Sequence, residues 1–93
     1  MAKSILQEEK CCWFCETTLD IHLHHIYFGP NRKISDKHGF TAYLCAKHHN
    51  MSNNSVHFNK DMDLTLKRAC QAKFEQAHSR EEFIRLIGRN YLD

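Results

Sequence analysis

Two short pairs constrain this chain more than anything else in it: Cys12-x-x-Cys15 and Cys45-x-x-His48. A Cys-x-x-Cys turn aims two sulfurs at one point from a single bend of backbone. A Cys-x-x-His turn does the same with a sulfur and an imidazole, and four such donors suit a tetrahedral zinc ion. If the intervening segment is a hairpin, the two pairs meet at its open end. The expected structural Zn²⁺ ligands are therefore Cys12, Cys15, Cys45 and His48. Cys11 is the register alternative to Cys12, with a spacing less suited to a knuckle. Cys70 falls on the apolar side of a helical pattern and reads as a small core residue.

A staple of this kind matters because the chain is short. Its 93 residues allow one domain with a small core. The apolar fraction of 42% is slightly low for a globular domain but excludes a disordered chain. A net charge of +2 is compatible with nucleic acid without demanding it. The cysteine count of five is odd, no secretory leader is evident near the start, and no apolar run is long enough to span a bilayer. A reducing, cytoplasmic setting is expected, where Cys-x-x-Cys means metal more often than disulfide.

The element pattern is mixed. Residues 1–10 read as a short helix or a frayed arm. Residues 21–28 read as a strand ended by Gly29-Pro30-Asn31, and residues 32–39 as a polar loop. Residues 40–44 form the antiparallel partner strand, and a short helix from Ala46 stops near Asn54. Val56-His57-Phe58 reads as a brief extended piece. Asn59 caps a helix whose apolar positions run through Met62, Leu66, Ala69, Cys70, Phe74 and Ala77. Ser79-x-x-Glu82 is a capping box that opens a last helix, with Phe83, Ile84, Leu86 and Ile87 on its apolar side and Gly88 at its end.

Histidine supplies the second feature. Of eight histidines, four fall within Leu23–Phe28 and Leu44–His49. Histidine both ligates metal and moves protons near neutral pH. Cleaving a phosphodiester needs a base to activate water, a cation to stabilise phosphate charge, and a hold on the backbone. His24-His25 at the end of a strand, followed across a hairpin by Cys45-x-x-His48-His49 leading into a helix, resembles the HNH endonuclease family. The match covers roughly residues 12–57, and the wider pattern is similar to small members encoded by bacteriophages of Gram-positive hosts.

The resemblance implies an α+β fold: a zinc-stabilised ββα-metal domain at about 11–58 with two C-terminal helices at about 59–93, in a single domain. It implies a DNA endonuclease holding one catalytic divalent cation, Mg²⁺, Mn²⁺ or Ni²⁺. His25 matches the general base, His24 the metal ligand before it, and His49 the first ligand on the helix. A further ligand usually lies one turn on; here that is Asn53, with His57 the stronger donor and preferred. The family usually has an Asn about five positions before Cys45, bracing the base. Phe40 stands there instead.

Adjacent strand residues point to opposite faces, so His24 and His25 share a site only where the strand ends or bends. Otherwise His22 and His24, on one face, would bind the metal together. Arg32, Lys33, Lys37 and His38 read either as a solvated turn or as a phosphate-facing patch. His22 reads as a solvated strand residue and His78 as a helix-end residue. The C-terminal helices complete the core, form a homodimer face, or do both. Base and ligand roles both need neutral imidazole, so activity should fall as pH drops through about 6.5. The rival reading is a zinc domain that holds nucleic acid or protein without cutting.

Overall fold

The architecture follows from a hairpin with a metal-capable end and an aromatic end. In the computed structural model, residues 3–50 and 55–92 are described. Strand β1 (Ile21–His25) pairs antiparallel with β2 (Thr41–Cys45), with Ile21 opposite Cys45 and His25 opposite Thr41. Among the described residues four α-helices surround this sheet: α1 (Arg32–His38), α2 (Ala46–His49), α3 (Lys60–Glu75) and α4 (Arg80–Ile87). The chain is thus a small α+β unit. No helix among the described residues is long and apolar enough to cross a membrane.

β1 is shorter than the pattern suggests. It ends at His25, and Ile26 and Tyr27 then turn into the core, both buried. Tyr27, Phe40, Phe74 and Phe83 pack edge to face or tilted at 5.4–5.8 Å between centroids. This aromatic knot joins the hairpin to α3 and α4. Phe40 is fully buried at its centre.

The expected polar loop is a helix. Gly29-Pro30-Asn31 forms a single 3-10 turn that runs directly into α1. Ser35 fastens α1 to the strand exit: its hydroxyl donates to the Tyr27 carbonyl at 2.6 Å and accepts from the Tyr27 N–H at 3.1 Å. One aliphatic residue, Ile34, marks this helix, too little for a periodic signal. Gly39 closes it in the left-handed region at φ 75°. A Cβ there would meet the Lys3 carbonyl oxygen at 2.1 Å, so glycine is required on both counts.

That close approach exists because residues 3–10 are neither helical nor frayed. They run along β2. Ile5 N–H donates to the Gly39 carbonyl at 2.9 Å, Ser4 Oγ donates to the Thr41 carbonyl, and Gln7 Oε1 accepts from Tyr43 N–H at 2.7 Å. The remaining helices follow their caps. Asn59 Oδ1 accepts from the N–H groups of Asp61 and Met62, and Ser79 Oγ accepts from Glu82 N–H. Gly88 ends α4 at φ 87°. Phe83 and Ile87 of α4 are buried, but Ile84 is exposed. The piece containing Val56, His57 and Phe58 is a turn rather than extended chain, closed by Asn59 N–H on the Ser55 carbonyl at 2.8 Å. Asn53, and the expected helix stop near Asn54, lie outside the described residues.

Candidate metal centres

The hairpin's open end gathers Cys12, Cys15, Cys45 and His48, with their four donor atoms within 4.8 Å of one another. Cys12 and Cys15 come from a turn in which Glu16 N–H donates to the Cys12 carbonyl at 2.8 Å. Cys45 ends β2, and His48 lies within the single turn of α2. Cys15 Sγ and Cys45 Sγ are 3.8 Å apart, and His48 Nδ1 is 3.5 Å from Cys12 Sγ and 3.2 Å from Cys45 Sγ. Tetrahedral zinc, with bonds of about 2.3 Å to sulfur and 2.0 Å to nitrogen, sets these edges at about 3.8 and 3.5 Å. The donor set therefore fits a metal such as zinc.

The local electrostatics agree. Burial alone would push the Cys12 thiol up. Backbone hydrogen bonds involving Cys45, Cys15 and Phe14, with the His48 side chain, outweigh it and bring the thiol down to about 6. The thiolate is the form that ligates metal. Burial pushes the Cys45 thiol up, and the neighbouring Cys12 and Cys15 sulfurs add to this. A cation among three sulfurs removes that conflict. Phe14 packs beside the His48 ring at 5.6 Å and Trp13 packs against Phe14 at 5.1 Å, so both support the cluster from beneath.

A second group lies on the hairpin's flank: His24, His49 and His57, their donor nitrogens again within 4.8 Å of one another. His49 Nε2 and His57 Nε2 stand 3.2 Å apart. Two nitrogens on one cation with bonds of about 2.0 Å stand about 3.3 Å apart. His24 is 3% exposed, and its Nε2 is buried without a hydrogen-bond partner. An unsatisfied buried imidazole nitrogen is costly, and a bound cation satisfies it. Burial, then the charge of His49, His57, His25 and Lys67, pushes the His24 imidazole down to about 3, so it stays neutral. Burial and the neighbouring His57 and His22 also push His49 down.

His48 and His49 are consecutive, yet each joins a different cluster, because successive side chains on the α2 turn diverge by about 100°. His57 arrives on the 55–58 turn, held in place by Val56 N–H on the His48 carbonyl at 2.8 Å.

His25 faces the other way along the strand, as alternation requires, but it lines the same shallow cleft as His24, His49 and His57. Its Nε2 lies 3.2 Å from Asp36 Oδ1 on α1. Asp36 carried no sequence signal, because α1 itself was not legible. His22, read as solvated, is instead part of the assembly: its Nδ1 stands 3.0 Å from His49 Nδ1. The strand's i, i+2 alternation placed His22 beside His24 and was the available clue.

The four basic-loop candidates separate. Arg32 lines the histidine cleft, and with Lys33 it lines a neighbouring one shared with His25 and Asp36. Lys37 is exposed at the far end of α1. His38 stacks on Phe40 at 5.6 Å and lines a different cleft, with Phe74 and His78. His78 stacks on Phe74 at 4.4 Å and approaches Glu82. Searches against protein-family models, curated proteins and solved structures found no match to this chain.

Proposed function

We propose that this chain is a metal-dependent endonuclease of the HNH type, with β1, β2 and α2 as its ββα-metal unit. The observation that carries the reading is the convergence of His24, His49 and His57 on one point, with an orphaned buried nitrogen on His24, beside a separate sulfur-rich cluster. The sulfur cluster fixes the end of the hairpin and hence the placement of the imidazoles.

A cation held by the three imidazoles supplies Lewis-acid stabilisation of charge on the scissile phosphate. An all-imidazole set favours Zn²⁺ or Ni²⁺ over Mg²⁺, which prefers oxygen donors. His25 acts as general base. With its Nε2–H donating to Asp36, Nδ1 is left as the acceptor for a water proton. Asp36 holds the ring in that orientation and takes the bracing role of the family Asn. His22 accepts the His49 Nδ1–H and so directs His49 Nε2 toward His57. Arg32 and Lys33 lie where they can grip the phosphate backbone.

Plasmid nicking with Mn²⁺, Ni²⁺ or Zn²⁺ tests the reading. His25→Ala should lower the nicking rate by about 10²–10⁴-fold, the usual worth of a general base. A His25→Ala protein that nicks as fast as wild type overturns the assignment. A protein that binds two metals yet cleaves with none of them favours the rival, a binding module. The missing family Asn, with Phe40 in its place, is what supports that rival.

A further inference from the structure

Beyond the two clusters, the molecule carries a third feature. A cleft of about 280 Å³ lies between α3 and the segment after α4, lined by Lys60, Lys67, Arg68, Arg89 and Tyr91, with Asp63 as its one carboxylate. Asp63 spends its charge on Lys67, at 2.8 Å. Four cations against one carboxylate leave the cleft positive.

The cleft is joined to the histidine cluster without a gap. Phe28 packs beside His24 at 6.2 Å and His57 at 6.1 Å. Lys67 Nζ sits 4.5 Å from the centre of the Phe28 ring and 5.6 Å from that of Tyr91. The Arg89 guanidinium lies 5.2 Å from the Tyr91 ring. Imidazole, aromatic ring, ammonium, aromatic ring and guanidinium thus follow one another across the surface. Phe28 is 45% exposed and Phe58, beside His57 in sequence, is 67% exposed. Exposed rings beside a set of cations are open to a stacking partner.

We propose that this run is the track for a single nucleic-acid strand leaving the histidine cluster, with phosphates along Lys60, Arg68 and Arg89 and an unstacked base on Phe28. Alternating cations and exposed rings are what binding an unpaired strand requires: the charges follow the backbone, and each ring offers a face that any base can use. A duplex keeps its bases stacked inside and has no use for Phe28 or Phe58. The substrate is therefore nucleic acid with an unpaired stretch beside the scissile bond. The inference rests on the nuclease reading for what happens to the strand, but not for the grip itself.

Fluorescence anisotropy tests it, using a labelled 20-nucleotide oligothymidylate and a 20-base-pair duplex on the full chain without added divalent cation. The strand should bind at least about fivefold tighter than the duplex. Arg68→Gln with Arg89→Gln should weaken strand binding at least about tenfold and reduce the salt slope by about 1.4, at about 0.7 per lost phosphate contact. Phe28→Ala should weaken it about fivefold or more, while Phe28→Tyr, which keeps the ring, should not. Lys60→Glu, an exposed change remote from the Tyr91 packing, should weaken it as well, and circular dichroism checks that each variant is folded. Equal or tighter binding of the duplex, or strand binding unchanged in folded Arg68→Gln/Arg89→Gln and Lys60→Glu proteins, overturns the proposal. Strand binding that persists in a protein unable to nick with any cation sinks the nuclease reading and leaves this surface standing. Robust nicking with strand affinity indifferent to these changes sinks the surface alone.

Discussion

The sulfur cluster and the imidazole cluster share a hairpin and a one-turn helix, and neighbouring residues of that helix go one to each. They are nonetheless built differently. The sulfur cluster draws on two tight turns, and its three soft sulfurs and one imidazole fill a tetrahedron. Each has one exposed member, Cys15 and His57, but the imidazole cluster draws on a strand, a helix and a distant turn and opens onto a cleft. A closed site holds a fold together; an open one leaves room for a ligand. The difference teaches that metal-capable residues are sorted by the softness and closure of the set they join, not by proximity in the chain.

The largest expected effect breaks the closed side. Cys45→Ser removes one of the three sulfur donors. Structural zinc contributes about 10–16 kcal/mol of folding free energy in zinc-finger peptides, more than a small domain's stability. The variant should lack cooperative thermal unfolding; a sharp calorimetric transition near that of wild type would mean the sulfur cluster is not structural.

The open side should respond differently. His24→Ala should cut bound metal from two ions per chain to one, measured by elemental analysis, with the fold intact because no hydrogen bond of Nε2 is lost. Retention of both ions would remove His24 from the ligand set. His22→Phe preserves the packing beside His49 but not the ring-to-ring hydrogen bond. It should weaken binding at the open cluster by about 10–100-fold, as loss of an orienting partner does, and leave the tighter ion in place. If His22→Phe abolishes that ion's binding outright, His22 is itself a ligand and the open site is a closed one.

The smallest effect contrasts both clusters with the core. Cys70 is fully buried, and burial pushes its thiol up to about 12, so it should react with a thiol reagent only after global unfolding. Cys12, Cys15 and Cys45 should become reactive on chelation, and half-buried Cys11 should react first. Early labelling of Cys70 would mean that the aromatic core opens more readily than either cluster.

Much of this was legible in the residues. The Cys-x-x-Cys and Cys-x-x-His turns, the caps at Asn59 and Ser79 and the stop at Gly88 depend on neighbours within four positions, and all are where local chemistry puts them. Helix α1 was not, because one aliphatic residue and the Ser35 bonds to Tyr27 hold it rather than a periodic face. With α1 went Asp36 and its contact with His25. From the residues alone, His22 reads only as a partner of His24 on one strand face and otherwise as solvated; only the partner strand and α2 bring His49 against it.

Local spacing by itself determined the donor types, the two turns that present sulfur, and the hairpin that brings them together, since each is set by bond geometry over a few residues. Tertiary structure alone decided which imidazoles meet, which face of β1 the cluster takes, and that Phe28, Lys67 and Tyr91 continue it across the surface. Those contacts join segments far apart in the chain, and their positions follow from packing around Tyr27, Phe40 and Phe83, which no short-range pattern encodes.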